Sequence, residues 1–260
     1  MRQLRFVQAV FHTSIRASLS LRSAFLLQLC FMAVNNVMVF VTWWILFDRF
    51  DNIRGYRLPD MLCMFGVGAA GFGLAAVLFG GSSELSRKIV DGDLDALLTQ
   101  PKSVLLRALA SRSTASGWGD IVSGLLMLAC SGQLSLSKLP LALLAISLAA
   151  IMFTSSAVLL QSTAFWLGNV ESAARVAQDF VVAFTLYPPS LFGAGLKTVL
   201  FTLLPAGLVV YLPVELLRNF SVQTALLAVG GVGLHVLLST TVFARGLTKY
   251  ESGSRMGVWG

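Results

Sequence analysis

The residues best equipped for polar chemistry in this chain crowd into one stretch, Ser82 to Arg112. Five cations (Arg87, Lys88, Lys102, Arg107, Arg112) and four anions (Glu84, Asp91, Asp93, Asp95) stand there, in a sequence that is otherwise almost all apolar. Catalytic constellations are absent from the sequence. The two histidines, His12 and His235, lie at opposite ends, and no His-x-x-Glu-His or Gly-x-Ser-x-Gly pattern occurs. Cys30, Cys63 and Cys130 each sit inside an apolar run without Cys-x-x-Cys spacing, and read as small apolar residues rather than disulfides or metal ligands. No Gly-x-x-x-x-Gly-Lys-Ser/Thr loop is present to cradle a phosphate. The chemistry left to the charged island is recognition: docking of a soluble partner, or packing along a lipid surface.

Composition sets the frame for that island. Of 260 residues, 56% are hydrophobic and 12% charged, with a mean hydropathy of +0.80. Soluble domains carry about 25% charged residues, so this chain cannot cover a water-facing surface. Several apolar runs approach the roughly 20 residues a helix needs to cross a bilayer, and they lack the alternation of barrel strands. The expectation is an all-α polytopic membrane protein, one membrane domain over residues 1–260. The formal charge of +7 lies beside apolar spans, where Lys and Arg orient a chain in the membrane; it does not call for nucleic acid.

Six spans are predicted, at about 25–47, 61–79, 113–131, 140–167, 173–186 and 222–243. Ahead of them, residues 1–24 place Leu4, Val7, Phe11, Ile15 and Leu19 at three- and four-residue steps, an amphipathic helix lying along the membrane face. Between the fifth and sixth spans, Leu196–Leu217 is apolar but broken by Pro205 and Pro213, which suggests a re-entrant hairpin. With both termini on one side, that side receives 13 of the 19 Lys and Arg residues, so both termini and the island (82–112) are expected in the cytoplasm.

Within the island, Glu84 and Lys88 form an i, i+4 pair with the acid first. Ile89, Leu94, Leu97 and Leu98 make a short apolar stripe interrupted by Gly92, and Pro101 ends it. The pattern predicts a short helix, a glycine bend and a second helix along the membrane: a compact knob. Elsewhere the polar residues inside spans invite two readings. Asn35, Asn36, Thr154 and Gln161 could line a substrate path; amides also glue helices together, and hydroxyls bond back to their own helix. The glycines Gly66, Gly68, Gly71 and Gly73 predict close helix packing. Asp120, Arg175, Asp179 and Glu215 fall near span ends, which leaves no mid-membrane charge of the kind ion-coupled carriers keep and points to an energy source outside the membrane.

The run from Arg87 to Pro101 resembles the I-x-x-G-x-L-D-x-L-L-x-x-P segment of permease subunits in the type-2 ABC exporter superfamily, in its short six-span branch. The tail, with Gly246, Tyr250, Glu251, Ser252 and Gly253, is similar to that branch's ending, while Asp93 stands where the branch often has Thr or Ser. The resemblance implies a transmembrane subunit of an ATP-driven exporter in a bacterial cytoplasmic (inner) membrane. It would work as a dimer with an identical or related permease, among membrane lipid. A separate cytosolic ABC ATPase, holding ATP and Mg, would grip Glu84, Arg87, Lys88, Ile89, Gly92, Leu94, Asp95, Leu98 and Pro101. No cofactor, metal or catalysis falls to this chain on that reading. The alternatives are an ion- or proton-coupled secondary carrier and a membrane assembly subunit that transports nothing.

Overall fold

The computed structural model describes residues 22–99, 103–202 and 205–250. Nearly all of the expected interfacial helix, Pro101, and the tail from Glu251 onward lie outside the described residues. Among the described residues every regular element is helical, and the only β pairing is one isolated bridge between Ile53 and Tyr56.

Helix α1 (Arg22–Arg49) and α2 (Leu58–Phe79) are joined by a short loop. Asp60 fixes the start of α2: its Oδ2 accepts from the Arg57 N–H at 2.9 Å, and Pro59 occupies a first-turn position where no amide is needed. The island follows as a turn of 3₁₀ helix (Gly80–Glu84), α3 (Leu85–Val90), α4 (Asp95–Leu98) and α5 (Val104–Ala110). Then come α6 (Ser116–Cys130), α7 (Leu139–Ser162), a one-turn α8 (Ala164–Leu167), α9 (Glu171–Thr185), α10 (Ala194–Thr202), a π-helical turn (Gly207–Tyr211), α11 (Leu212–Arg218) and α12 (Val222–Leu247).

Helix α2 is the centre of the bundle. Met61, Cys63, Val67 and Val77 on it are fully buried. It meets α6 backbone to backbone: a Cβ on Gly73 would stand 2.4 Å from the Gly117 carbonyl, and one on Gly124 2.5 Å from the Ala70 nitrogen. Side chains would force the two helices apart, so close packing is the use the sequence makes of these glycines. On its other side α2 meets α7 through Gly71, placed against Ala149. Helix α1 leans on α6 and α12 on α7. Both outer helices turn large apolar side chains outward (Leu26, Phe31, Leu234, Leu237), as a lipid-facing surface does.

Among the described residues, four stretches are long and apolar enough to cross a membrane: Phe25–Arg49, Leu58–Val90, Leu136–Leu167 and Val222–Leu247. The pair α10 and Gly207–Arg218, bent by 79°, makes five if it counts as one span. The expected third span is shorter than the sequence suggested and the fifth is as short as expected: α6 and α9 have 15 residues each. At 1.5 Å per residue each is about 22 Å long, less than the roughly 30 Å of hydrocarbon. Helix α6 starts late because Thr114 turns aside, its N–H donating to the Ala76 carbonyl at 3.0 Å. Helix α9 carries Glu171, Arg175 and Asp179 in its first half, with Glu171 and Arg175 paired at 2.5 Å.

Polar bonds gather at both ends of the bundle. At the end away from the island, Asp60 accepts from Gln133 at 2.8 Å and Arg218 at 3.1 Å, and Arg218 also lies over the Tyr56 ring. Burial pushes the Tyr56 phenol above its usual range. Lys138 donates to the Leu217 carbonyl at 2.8 Å, which ties the bent pair to the start of α7.

Candidate functional site: a braced platform and two cavities

The island folds back on the bundle around its own small core. Leu85, Ile89, Leu94, Ala108 and Leu109 pack with Val158 of α7, Ala164 of α8 and Phe243 of α12. The bend between α3 and α4 rests on Gly92, whose φ of +80° lies where only glycine sits without strain. There the Asp93 N–H reaches back to the Lys88 carbonyl at 3.0 Å and closes the end of α3.

Long-range polar bonds fix this platform. Glu84, only 6% exposed, receives Arg87 at 3.0 Å and also Arg112, 28 residues on. The expected Glu84–Lys88 pair does not form: Lys88 instead donates to the Ala108 carbonyl at 3.1 Å and to Ser111. The sequence pair is a helix-surface rule, and here the helix surface faces α5, whose end offers acceptors to Lys88. Arg107, buried, caps α4 through the Leu97 carbonyl. Gln161 joins the platform to α7, its Oε1 accepting from the Ser86 N–H and its Nε2 donating to the Ser83 carbonyl, both at 3.2 Å. Just beyond α12, Tyr250 sets its ring edge-on to Phe165, 6.3 Å between centroids. Burial, then the Asp95 carboxylate beside it, push the Tyr250 phenol up to about 12.

The residues expected to meet a partner therefore divide. Arg87 and Leu98 are exposed, as are Asp93, Ala96 and Thr99 between and beside them. Lys88, Gly92 and Asp95 are half-buried. Glu84, Ile89 and Leu94 are buried and hold the platform together from inside. Arg107, Arg112 and Tyr250 belong to the same framework. No local spacing marks the two arginines as such, because their partners are distant in sequence.

Among the described residues, two cavities open between the helices. The first, of about 230 Å³, lies among α1, α2, α6, α7 and α9 and is lined by Asn35, Asn36 and Asp120 with a largely apolar remainder. Asn36 donates to Asp120 Oδ1 at 3.1 Å and to Ser123 Oγ at 2.6 Å, so it both joins α1 to α6 and faces the cavity. Asp120 is thereby level with the midpoint of α1, deeper than its place early in α6 suggests. The second cavity, about 480 Å³, sits at the island end and is lined by Arg112, Thr154, Arg175, Gln178 and Asp179 among others. Phe72 and Phe153 line both cavities and stand edge to face between them, 5.3 Å apart at 86°. Thr154 does reach the second cavity, but its hydroxyl bonds back to the Ala150 carbonyl at 2.8 Å. Gln161 lines neither cavity and serves the platform instead. His235 is a packed polar residue, its Nδ1 3.0 Å from Ser155 Oγ.

Among the described residues no group of His, Cys, Asp and Glu is arranged to hold a metal ion. What the arrangement offers is a bundle with internal space, ended by a charged platform packed on its own small core. No curated protein and no solved structure matches the chain significantly. The family described as ABC-2 family transporter protein matches residues 33–254, which takes in the bundle, the platform and the start of the tail. The chain belongs to that family, and is a multi-pass permease of the ABC-2 type.

Proposed function

We propose that the chain is the transmembrane subunit of an ATP-driven exporter, gripped at its platform by a separate ABC ATPase that holds ATP and Mg. The observation that carries this reading is the way the platform is built. Its buried side, Glu84, Ile89 and Leu94, is fastened to α5, α7 and α12, while Arg87, Asp93, Leu98 and Thr99 face outward. A push on the exposed face would pass through Gln161 into α7 and through the platform's core, which includes Phe243, into α12. These are the helices that flank the cavities or lean on those that do. Helices α6 and α9 complete six crossings where the bilayer is locally thinned. Both termini and the platform face the cytoplasm of a bacterial inner membrane, and a second permease, identical or related, pairs with this one.

Asp120 at mid-depth is the mark that would favour an ion-coupled carrier. Family membership favours an ATPase as the energy source, so the acid is better read as part of the cargo path. The two cavities, with Phe72 and Phe153 between them, supply that path, and Asn35, Asn36 and Thr154 lie on its walls. Affinity purification of the full chain from its native host tests the reading. An ABC ATPase should accompany the native chain and be lost from the double variant Arg87→Glu/Leu98→Asp. Its absence from the native preparation would count against the reading.

A further inference from the structure

The first cavity holds a buried acid with an unmet need. Asp120 is 4% exposed, and its Oδ1 is satisfied by Asn36. Its Oδ2 is buried and has no hydrogen-bond partner among the described residues. Buried polar atoms in folded proteins are nearly always paired, and the exceptions point to a missing group. Protonation of Oδ2 would not remove the deficit, since the new hydroxyl would in turn lack an acceptor. None of the lining residues is an arginine, lysine or histidine that could neutralise the carboxylate.

The rest of the wall narrows what the missing group is. Phe65, Phe72 and Phe153 line it with Met32 and Met64, and Asn35 and Thr185 add polar atoms. Ring faces attract cations, ammonium ions above all. An anion would meet the carboxylate and be repelled, while a neutral apolar molecule would leave Oδ2 as it found it. At about 230 Å³ the space is below the roughly 300–1,000 Å³ of sites that enclose a drug-sized ligand. It suits a head group whose remainder extends elsewhere.

We propose that this cavity is a subsite for the cationic head of a lipophilic amine or quaternary ammonium compound, with Asp120 as counter-ion and Phe72 and Phe153 as the aromatic wall. The proposal names a cargo class and rests on the transport reading above, but its test needs no ATPase. The probe is tritiated benzyltrimethylammonium, bound at equilibrium to the full chain in lipid nanodiscs, with empty nanodiscs subtracted. Binding should saturate and should be displaced by the unlabelled cation, but not by neopentylbenzene, its uncharged carbon isostere. Asp120→Asn should weaken it by at least about tenfold, an ample margin for a charge-to-neutral change. Asp120→Glu should keep it, and the exchange variant Asn36→Asp/Asp120→Asn, which moves the charge across one hydrogen bond, should recover most of it. Unsaturable binding, equal displacement by the neutral isostere, or unchanged affinity in Asp120→Asn would overturn the proposal. Should Asp120→Asn fail to fold, the exchange variant decides alone: retained binding supports the counter-ion role, and lost binding refutes it. A negative result here leaves ATPase docking standing, and lost docking with intact cation binding would overturn the transport reading alone.

Discussion

Replacing Glu84 by Gln probes the platform at its most connected atom. The carboxylate is buried while its two partners are not: the side chains of Arg87 and Arg112 are 49% and 56% exposed, against 9% for Glu84. Breaking a fully buried ion pair costs about 3–5 kcal/mol, and an exposed one about 0.2–1 kcal/mol. Here both guanidinium groups can return to water, and the Gln carbonyl still accepts one hydrogen bond. The cost should therefore fall between those limits, at about 1–2 kcal/mol, felt locally. That changes a local opening equilibrium by a factor of roughly 5–30. Hydrogen exchange on the full chain in nanodiscs reads it directly: peptides spanning 80–99 should exchange faster by such a factor, while those of α2 and α6 stay as they were. Adding Arg112→Gln to Glu84→Gln should bring little further change, because the partner is already lost. Unaltered exchange over 80–99, or an equal rise across the whole bundle, would refute the claim that Glu84 is the internal tie of a separate platform.

Three further outcomes follow from the same geometry. Gly92→Ala meets only the Tyr250 hydroxyl, 3.8 Å away, so its cost is that of a left-handed backbone, about 1–2 kcal/mol, again read by exchange over α3 and α4. Gly73→Val would drive a side chain into the Gly117 carbonyl and the Ile121 nitrogen; it should cost about 2–3 kcal/mol and lower the melting temperature by several degrees, whereas Gly233→Ala, with nothing within 4 Å, should leave it unchanged. In alkali, Tyr250 holds its proton more tightly when folded than when free, so the stability it lends the tail is complete below pH 10 and lost as pH rises through about 12; Tyr250→Phe should abolish that alkaline loosening, read by exchange over residues 244–250.

How far the sequence carries can be seen residue by residue. Apolar runs and the glycines of α2 foretold helices and close packing, because each is a local property of composition and spacing; Pro205 and Pro213 suggested a re-entrant hairpin, and the structure shows there a helix pair bent by 79°. Gly92 likewise marked the bend of the island. The facing of the island residues was not legible. Glu84 and Lys88 satisfied a local pairing rule, yet their partners are Arg112 and the end of α5, brought near only by the return of the chain. Ile89 and Leu94 looked like a docking stripe because a stripe on an isolated helix has no inside; α7 and α12 supply one. Gln161 shares its helix with Thr154, and nothing in its spacing says that the platform, rather than a cargo, will claim it. Asp120 looks shallow because it lies early in its apolar run; its hydrogen bond to Asn36, at the middle of α1, sets it deeper.

The central claim is that the platform's outward face, and not its inner one, meets an ATPase. Cysteine cross-linking tests it most directly, in a chain whose own Cys30, Cys63 and Cys130 have been replaced. With cysteine at the exposed Leu98 position, a short bifunctional reagent applied to native membranes should join the chain to an ABC ATPase, and cysteine at the buried Leu94 position should not. Cross-linking from both positions, or from neither while the chain stays folded, would contradict the account.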